Sequence, residues 1–203
     1  MTALFDQRQL QMRRALRWST GLFAGYLFVT FQVLSDGFLV RMDRDLNNLK
    51  HPTFTGFTSF VIRRLDDLGL RSVSGIALLI IALYISYRFK TWRPINLGLL
   101  AFLALNSVVG AFKYGLGRTK PRNGLDILHA GGMSYPSGHA SNAILIWGIT
   151  AYLIYRYAHV DRYNGRLATA AVGALALTVC VVSLIRNTHW FSDLLGGLFL
   201  GAG

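Results

Sequence analysis

Charge is in short supply in this 203-residue chain. Only 15% of its residues are Asp, Glu, Lys or Arg, against about 25% in an ordinary soluble domain. The acids are scarcest, at 9 Asp and Glu against 21 Lys and Arg. Cysteine is nearly absent: Cys180 stands alone, which excludes an internal disulfide. No small-residue cleavage site stands out after the first apolar run, so that run does not read as a cleaved signal peptide. There is no internal repeat, no low-complexity tract and no separate polar stretch long enough for a soluble domain. A G-x-S-x-G turn is also missing, which argues against a nucleophilic serine at Ser137.

Long apolar runs take up the space that charge leaves. Hydrophobic residues make up 53% of the chain. They gather in runs from Trp18 to Leu34, Val73 to Tyr87, Ile95 to Phe112, Ala143 to Tyr157 and Leu167 to Ile185. With their flanks, most approach the roughly 17–25 residues that cross a bilayer. A sixth run, Trp190 to Gly203, predicts a short or truncated span. Lipid offers the backbone no hydrogen-bond partner, so such runs must be helical. The expected fold is all-α: one integral membrane domain over residues 1–203, with six transmembrane helices. Phe54, Phe57, Val61, Leu65 and Leu68 recur at helical spacing and predict an additional helix, lying at the outer interface or packing as an ordinary helix of the bundle. If that helix lines an entrance, Phe57 and Phe60 are placed to touch a lipid tail.

A net charge of +12 invites a nucleic-acid reading, but its distribution opposes one. Arg8, Arg13, Arg14 and Arg17 precede the first span. Arg88, Lys90 and Arg93 fall between the second and third, and Arg156, Arg162 and Arg166 between the fourth and fifth. Alternating basic loops are the positive-inside pattern. They predict a multi-pass protein of the cell membrane with its N-terminus in the cytoplasm. The segment from Lys113 to His139 then faces outward and is basic against the rule. An anionic ligand accounts for that exception.

Three polar islands interrupt the apolar chain. KYGLGRTKPR holds Lys113, Arg118, Lys120 and Arg122; YPSGHAS holds Ser137, Gly138 and His139; RNTHWFSD holds Arg186, His189 and Asp193. His189 and Asp193 are four apart and share a face if helical. Asp193 can then orient one imidazole nitrogen and leave the other as a lone pair, although the same spacing suits a structural capping pair. Ser137 suits a helix N-cap, and the first-turn N–H groups beyond it can hold a phosphate oxygen. Gly138 lets a ligand approach the backbone, and His139 is positioned to protonate a leaving oxygen. Arginine forks match phosphate oxygens in pairs, while the same cations also suit a lipid-headgroup anchor. Taken together, the islands suggest phosphoryl transfer by a histidine nucleophile. No metal or other cofactor is expected, because the surrounding bases oppose cation binding.

In these motifs the chain resembles the type 2 phosphatidic acid phosphatase family, which shares its core site with vanadium haloperoxidases. That family's pattern is K-x6-R-P, then P-S-G-H, then S-R-x5-H-x3-D. The resemblance runs from Lys113 to Asp193 and matches Pro121, Ser137, Gly138, His139, His189 and Asp193. It implies six spans with both termini inside and the site on the outer face. It further implies that His189 is the nucleophile, Asp193 its orienting acid and His139 the general acid, with Ser137 and Gly138 binding phosphate. The implied substrate is a membrane lipid phosphate or diphosphate, such as phosphatidic acid, phosphatidylglycerol phosphate or a polyprenyl phosphate.

Two positions depart from the pattern. Lys120 stands where the family has arginine, and Ser183 stands where the family has the arginine six before the nucleophile. Arg186 and Arg118 are the expected substitutes, joining Lys113 and Lys120 as the phosphate-binding cations. A lipid-phosphate binder without turnover, and a phosphotransferase, are the competing readings.

Overall fold

The computed structural model describes residues 2–203. Every long apolar run is helical, and the described residues contain no strand. The helices are α1 (Thr2–Leu34), α2 (Phe38–Asn47), α3 (Gly56–Asp67), α4 (Arg71–Phe89), α5 (Arg93–Leu116), α6 (Gly138–Tyr157), α7 (Arg162–Ile185) and α8 (Phe191–Ala202). One 3₁₀ turn, Pro121–Asn123, interrupts the long loop between α5 and α6.

Only α4, α5 and α7 are each long and apolar enough to cross a bilayer unaided. α1 and α2 together supply a fourth segment, bent by 70° at their junction. α8 is a shorter apolar helix of 12 residues. The six spans expected from the sequence are therefore not all met by length and composition. α6 has 20 residues, but its first turn is given to the polar residues of the second island.

α6 is the hub of the bundle and packs against α4, α5, α7 and α8. Leu78, Ala82, Ile85, Leu105, Val109, Ile146 and Leu153 form the core where α4, α5 and α6 meet. A second core, with Tyr26, Val29, Val33, Leu39, Leu116 and Tyr135, ties α1 to the α5–α6 loop. Phe23, Phe31, Ile80, Leu83, Leu100 and Leu103 remain exposed on α1, α4 and α5. Large apolar side chains left outside a packed bundle suit lipid rather than water.

The contact between α6 and α8 is unusually close. A Cβ on Gly197 would lie 2.4 Å from the Ser137 carbonyl oxygen, and one on Gly201 would lie 2.6 Å from that of Ser141. Small residues four apart on one helix allow this approach of backbones within a membrane. The packing brings the second and third polar islands to the same end of the bundle.

The additional helix is present as α3, with Val61 and Leu65 of its expected apolar face half-buried. Phe57 and Phe60 are exposed and stack on each other, whereas Asp66 is buried. The Asp66 carboxylate bonds to Ser183 and Arg186 at the end of α7, and that polar contact sets the helix's rotation. α2 had no counterpart among the sequence expectations.

Candidate active site

His189 sits in the short turn between α7 and α8. It is 6% exposed, and its Nδ1 lies 3.4 Å from Asp193 Oδ2. With Nδ1 directed at the carboxylate, Nε2 is the nitrogen free for chemistry. The His139 ring stands opposite, with its centroid 5.8 Å from that of His189. Both rings border a cavity of about 350 Å³, together with Lys113, Lys120, Gly138, Asn142 and Arg71. The volume leaves room for a phosphoryl group between two imidazoles in a cation-lined pocket.

Local sequence explains these positions. Ser137 caps α6 by accepting from the Ala140 N–H at 3.3 Å, and its own N–H donates to the Asp193 carbonyl at 2.9 Å. Ser141 Oγ donates to the Ser137 carbonyl at 3.0 Å, and Asn142 Nδ2 to that of Gly138 at 2.7 Å. The first turn of α6 is thus braced against α8. The amides of Gly138 and His139 have no partner within the helix, because no carbonyl precedes them at the required spacing. Tyr135 anchors the approach to this turn. Its hydroxyl shares a 2.7 Å hydrogen bond with Thr30, and burial raises its phenol well above the usual value, so it stays protonated.

Asp193 is wholly buried and has four partners. Arg118 Nη1 donates to it at 2.7 Å, the Trp190 backbone N–H at 3.0 Å, and the Ser134 hydroxyl through a short bond, with His189 as the fourth. Its place in the first turn of α8 also suits a negative charge at a helix N-terminus. The carboxylate is held rigidly behind the His189 ring.

Arg118 and Arg186 differ from the sequence expectation. Arg118 does not border the cavity. It is 0% exposed and makes five hydrogen bonds: two to Asp126, and one each to Asp43, Asp193 and Ser192. Asp126 from the α5–α6 loop, Asp43 from α2 and Asp193 from α8 saturate its fork together with Ser192. Arg118 therefore organises the layer beneath Asp193, with its donors turned away from the phosphate position. Arg186 is engaged in turn by Asp66, and Ser183 donates to the same carboxylate at 2.8 Å. Neither Arg186 nor Ser183 lines the cavity; Arg186 is held by Asp66, and its charge still reaches His139.

Lys113 and Lys120 do border the cavity, and Lys113 also donates to the Met133 carbonyl. Ser137 is fully buried and does not line the cavity, its hydroxyl being turned to the cap. Arg71, the first residue of α4, lines the same cavity and was missed by sequence reasoning. No carboxylate pairs with it among the described residues. Among those residues, no group of three or more His, Cys, Asp or Glu is arranged to hold a metal ion. The three clustered aspartates converge instead on Arg118.

This geometry coincides with a family match. The PAP2 superfamily model matches residues 95–203, more than half of the chain. The chain belongs to the PAP2 superfamily. A curated relative, phosphatidylglycerophosphatase B of Bacillus subtilis, is 26% identical over 141 residues, covering 70% of this chain and 68% of that protein. The crystal structure of a transmembrane PAP2-type phosphatidylglycerolphosphate phosphatase from Bacillus subtilis superposes with a TM-score of 0.79. It is 22% identical in sequence, and the superposition covers 91% of this chain and 90% of that one. The PAP2 match includes all three islands. α1 to α4, including Arg71 and Asp43, lie before the matched residues.

Proposed function

We propose that the protein hydrolyses the phosphate or diphosphate monoester of a membrane lipid through a phosphohistidine intermediate. The observation that carries this reading is the pair of facing imidazoles, 5.8 Å apart between centroids, with Asp193 behind one of them and lysines around both. His189 Nε2 attacks phosphorus in line with the lipid oxygen. A P–N bond forms as the P–O bond breaks. His139 gives its proton to the departing oxygen, that of the lipid alcohol or, for a diphosphate, of the lipid monophosphate. Lys113 and Lys120, with the amides of Gly138 and His139, stabilise the charge spread over the transferring oxygens. His139, now neutral, then takes a proton from water, whose oxygen attacks the phosphohistidine. The P–N bond breaks, inorganic phosphate leaves and His189 is restored.

Phosphatidylglycerol phosphate is the first substrate to test, since the relatives just described are named for it. The loop charges support an outward-facing site. Arg88, Lys90 and Arg93 join α4 to α5, and Arg156, Arg162 and Arg166 surround the α6–α7 junction. Lys113 and Gly138 lie at the opposite ends of α5 and α6. The positive-inside rule then puts the N-terminus in the cytoplasm and the cavity on the extracytoplasmic face.

The test is inorganic phosphate release from lipid phosphates by the protein in detergent micelles. Wild type is expected to turn over, and His189→Ala to release nothing and to retain no acid-labile phosphate. Activity is expected to survive a strong chelator and to be inhibited by vanadate. Near-wild-type release by His189→Ala would falsify the nucleophile assignment.

A further inference from the structure

A second cavity borders the first. It is an apolar groove of about 390 Å³ between α4 and α5, lined by Ile76, Leu79, Leu99 and Phe102 among others. One residue, Arg71, lines both the groove and the histidine cavity. Two contacts fix its backbone there. Trp147 Nε1 donates to the Leu68 carbonyl at 2.9 Å. Gly69 lies so close to α6 that a Cβ on it would be 2.8 Å from that of His139. The corner between α3 and α4 is thereby pressed onto the first turn of α6, with Arg71 two residues beyond it.

The charge around Arg71 differs from that around its neighbours. Arg118 and Arg186 are both engaged by carboxylates, whereas Arg71 has no salt-bridge partner among the described residues. Lys113 and Lys120 line the histidine cavity with it, and both Lys120 and Arg71 are near enough to repel the Lys113 ammonium. Asp193, behind His189, attracts the Lys113 ammonium, but no carboxylate lines the cavity that the three cations share, so an anion entering it is favoured. One phosphoryl group between His189 and His139 satisfies the two lysines. It leaves Arg71 unanswered at the far side, where the cavity meets the apolar groove.

We infer that Arg71 is a specificity residue that binds a second anionic group of the substrate, one lying between the reacting phosphoryl group and the hydrocarbon chain. The inference rests on the phosphatase reading of the histidine cavity. Phosphatidylglycerol phosphate fits, because its internal phosphodiester separates the terminal phosphate from the diacylglycerol. A polyprenyl diphosphate fits too, because its inner phosphate lies next to the chain. Phosphatidic acid and a polyprenyl monophosphate lack such a group, since their only phosphate is the one that reacts. The planar guanidinium can grip two oxygens of the second phosphate at once, which an ammonium cannot.

The experiment compares the two matched pairs, phosphatidylglycerol phosphate with phosphatidic acid and polyprenyl diphosphate with polyprenyl monophosphate. Phosphate release is measured in micelles for wild type, Arg71→Ala and Arg71→Lys. Arg71→Ala is expected to lower kcat/KM roughly 10- to 100-fold on the two-phosphate member of at least one pair. On the one-phosphate member the change is expected to stay within about twofold, and Arg71→Lys to recover part of the loss. The affected pair identifies the spacing of the second anion. Equal loss on both members of each pair, or no loss on any, overturns the assignment. Failure of wild type to hydrolyse any of the four lipids overturns the phosphatase reading instead. Arg71 is then judged by binding of the same lipids to His189→Ala with and without Arg71→Ala. A weaker grip confined to two-phosphate lipids supports the inference, and unchanged or uniformly weaker binding rejects it.

Discussion

His189 separates two regions built from opposite uses of positive charge. Beneath it, Arg118 is enclosed by Asp43, Asp126 and Asp193, with every donor of its fork engaged. Above it, Lys113, Lys120 and Arg71 surround a cavity whose lining contains no aspartate or glutamate. The lower cation is a structural element, because a buried guanidinium with three carboxylates has nothing left to offer a ligand. The upper ones are free to meet an anion. Basic residues from one short segment, Lys113 to Lys120, therefore serve unlike purposes, and what separates them is whether acids from elsewhere in the chain reach them.

The comparison is broken most severely from below. Arg118→Met leaves three buried carboxylates without their cation, and removal of one partner from a buried pair costs about 3–5 kcal/mol. The variant is expected to lose its folded, monodisperse form in detergent, as followed by thermal melting and size exclusion. A normal melting curve for Arg118→Met means that the layer beneath Asp193 does not depend on that guanidinium.

From above, the expected loss is in rate alone. Lys113→Met removes a cation from the reacting phosphate and should lower turnover about 10²- to 10³-fold, with an almost unchanged melting profile. Should Lys113→Met melt early and keep its specific activity, the two regions would not divide as described. Asp193→Asn sits on the boundary and tests both sides. It keeps the shape but weakens the hold on His189 and Arg118, so turnover and melting temperature are both expected to fall. The fall in turnover should be smaller than for His189→Ala.

Arg186→Ala is expected to have the smallest effect. Its partner is Asp66, so its removal should loosen the docking of α3 on α7, by roughly 1 kcal/mol for a partly exposed pair. Turnover should change only a few-fold. A loss of 10²-fold or more would instead make Arg186 a phosphate ligand in the working enzyme, with Asp66 displaced when substrate binds.

Much of the bundle could be read from the sequence because lipid leaves an apolar run few options. The runs of α1, α4, α5, α6 and α7 all fall within helices of the structure. His139, His189 and Asp193 were also legible, since each stands out from apolar surroundings and two of them share helical spacing. What escaped notice depends on contacts distant in sequence. Asp43 is 75 residues from Arg118, and nothing local marks it as the acid that fills that fork. α2 is a short amphipathic helix in a charge-balanced loop, which resembles ordinary solvated chain until its place across the bundle is known. Arg71 was not singled out, being one base just before an apolar run. Its neighbours only acquire meaning when Gly69 and Trp147 bring the corner onto α6. The engagement of Arg186 is hidden for a related reason, because its partner Asp66 lies 120 residues earlier in the chain.

The 70° bend after α1 has a consequence for the timing of assembly. It turns α2 across the end of the bundle and delivers Asp43 to Arg118, while Asp193 reaches the same guanidinium from α8. Early-made and late-made segments of the chain thus meet at one side chain. During synthesis Arg118 must wait for its last carboxylate until α8 has emerged, and His189 must wait for the acid that orients it. A chain that has not yet made α8 therefore lacks the one carboxylate that both holds the ring of His189 and completes this cluster.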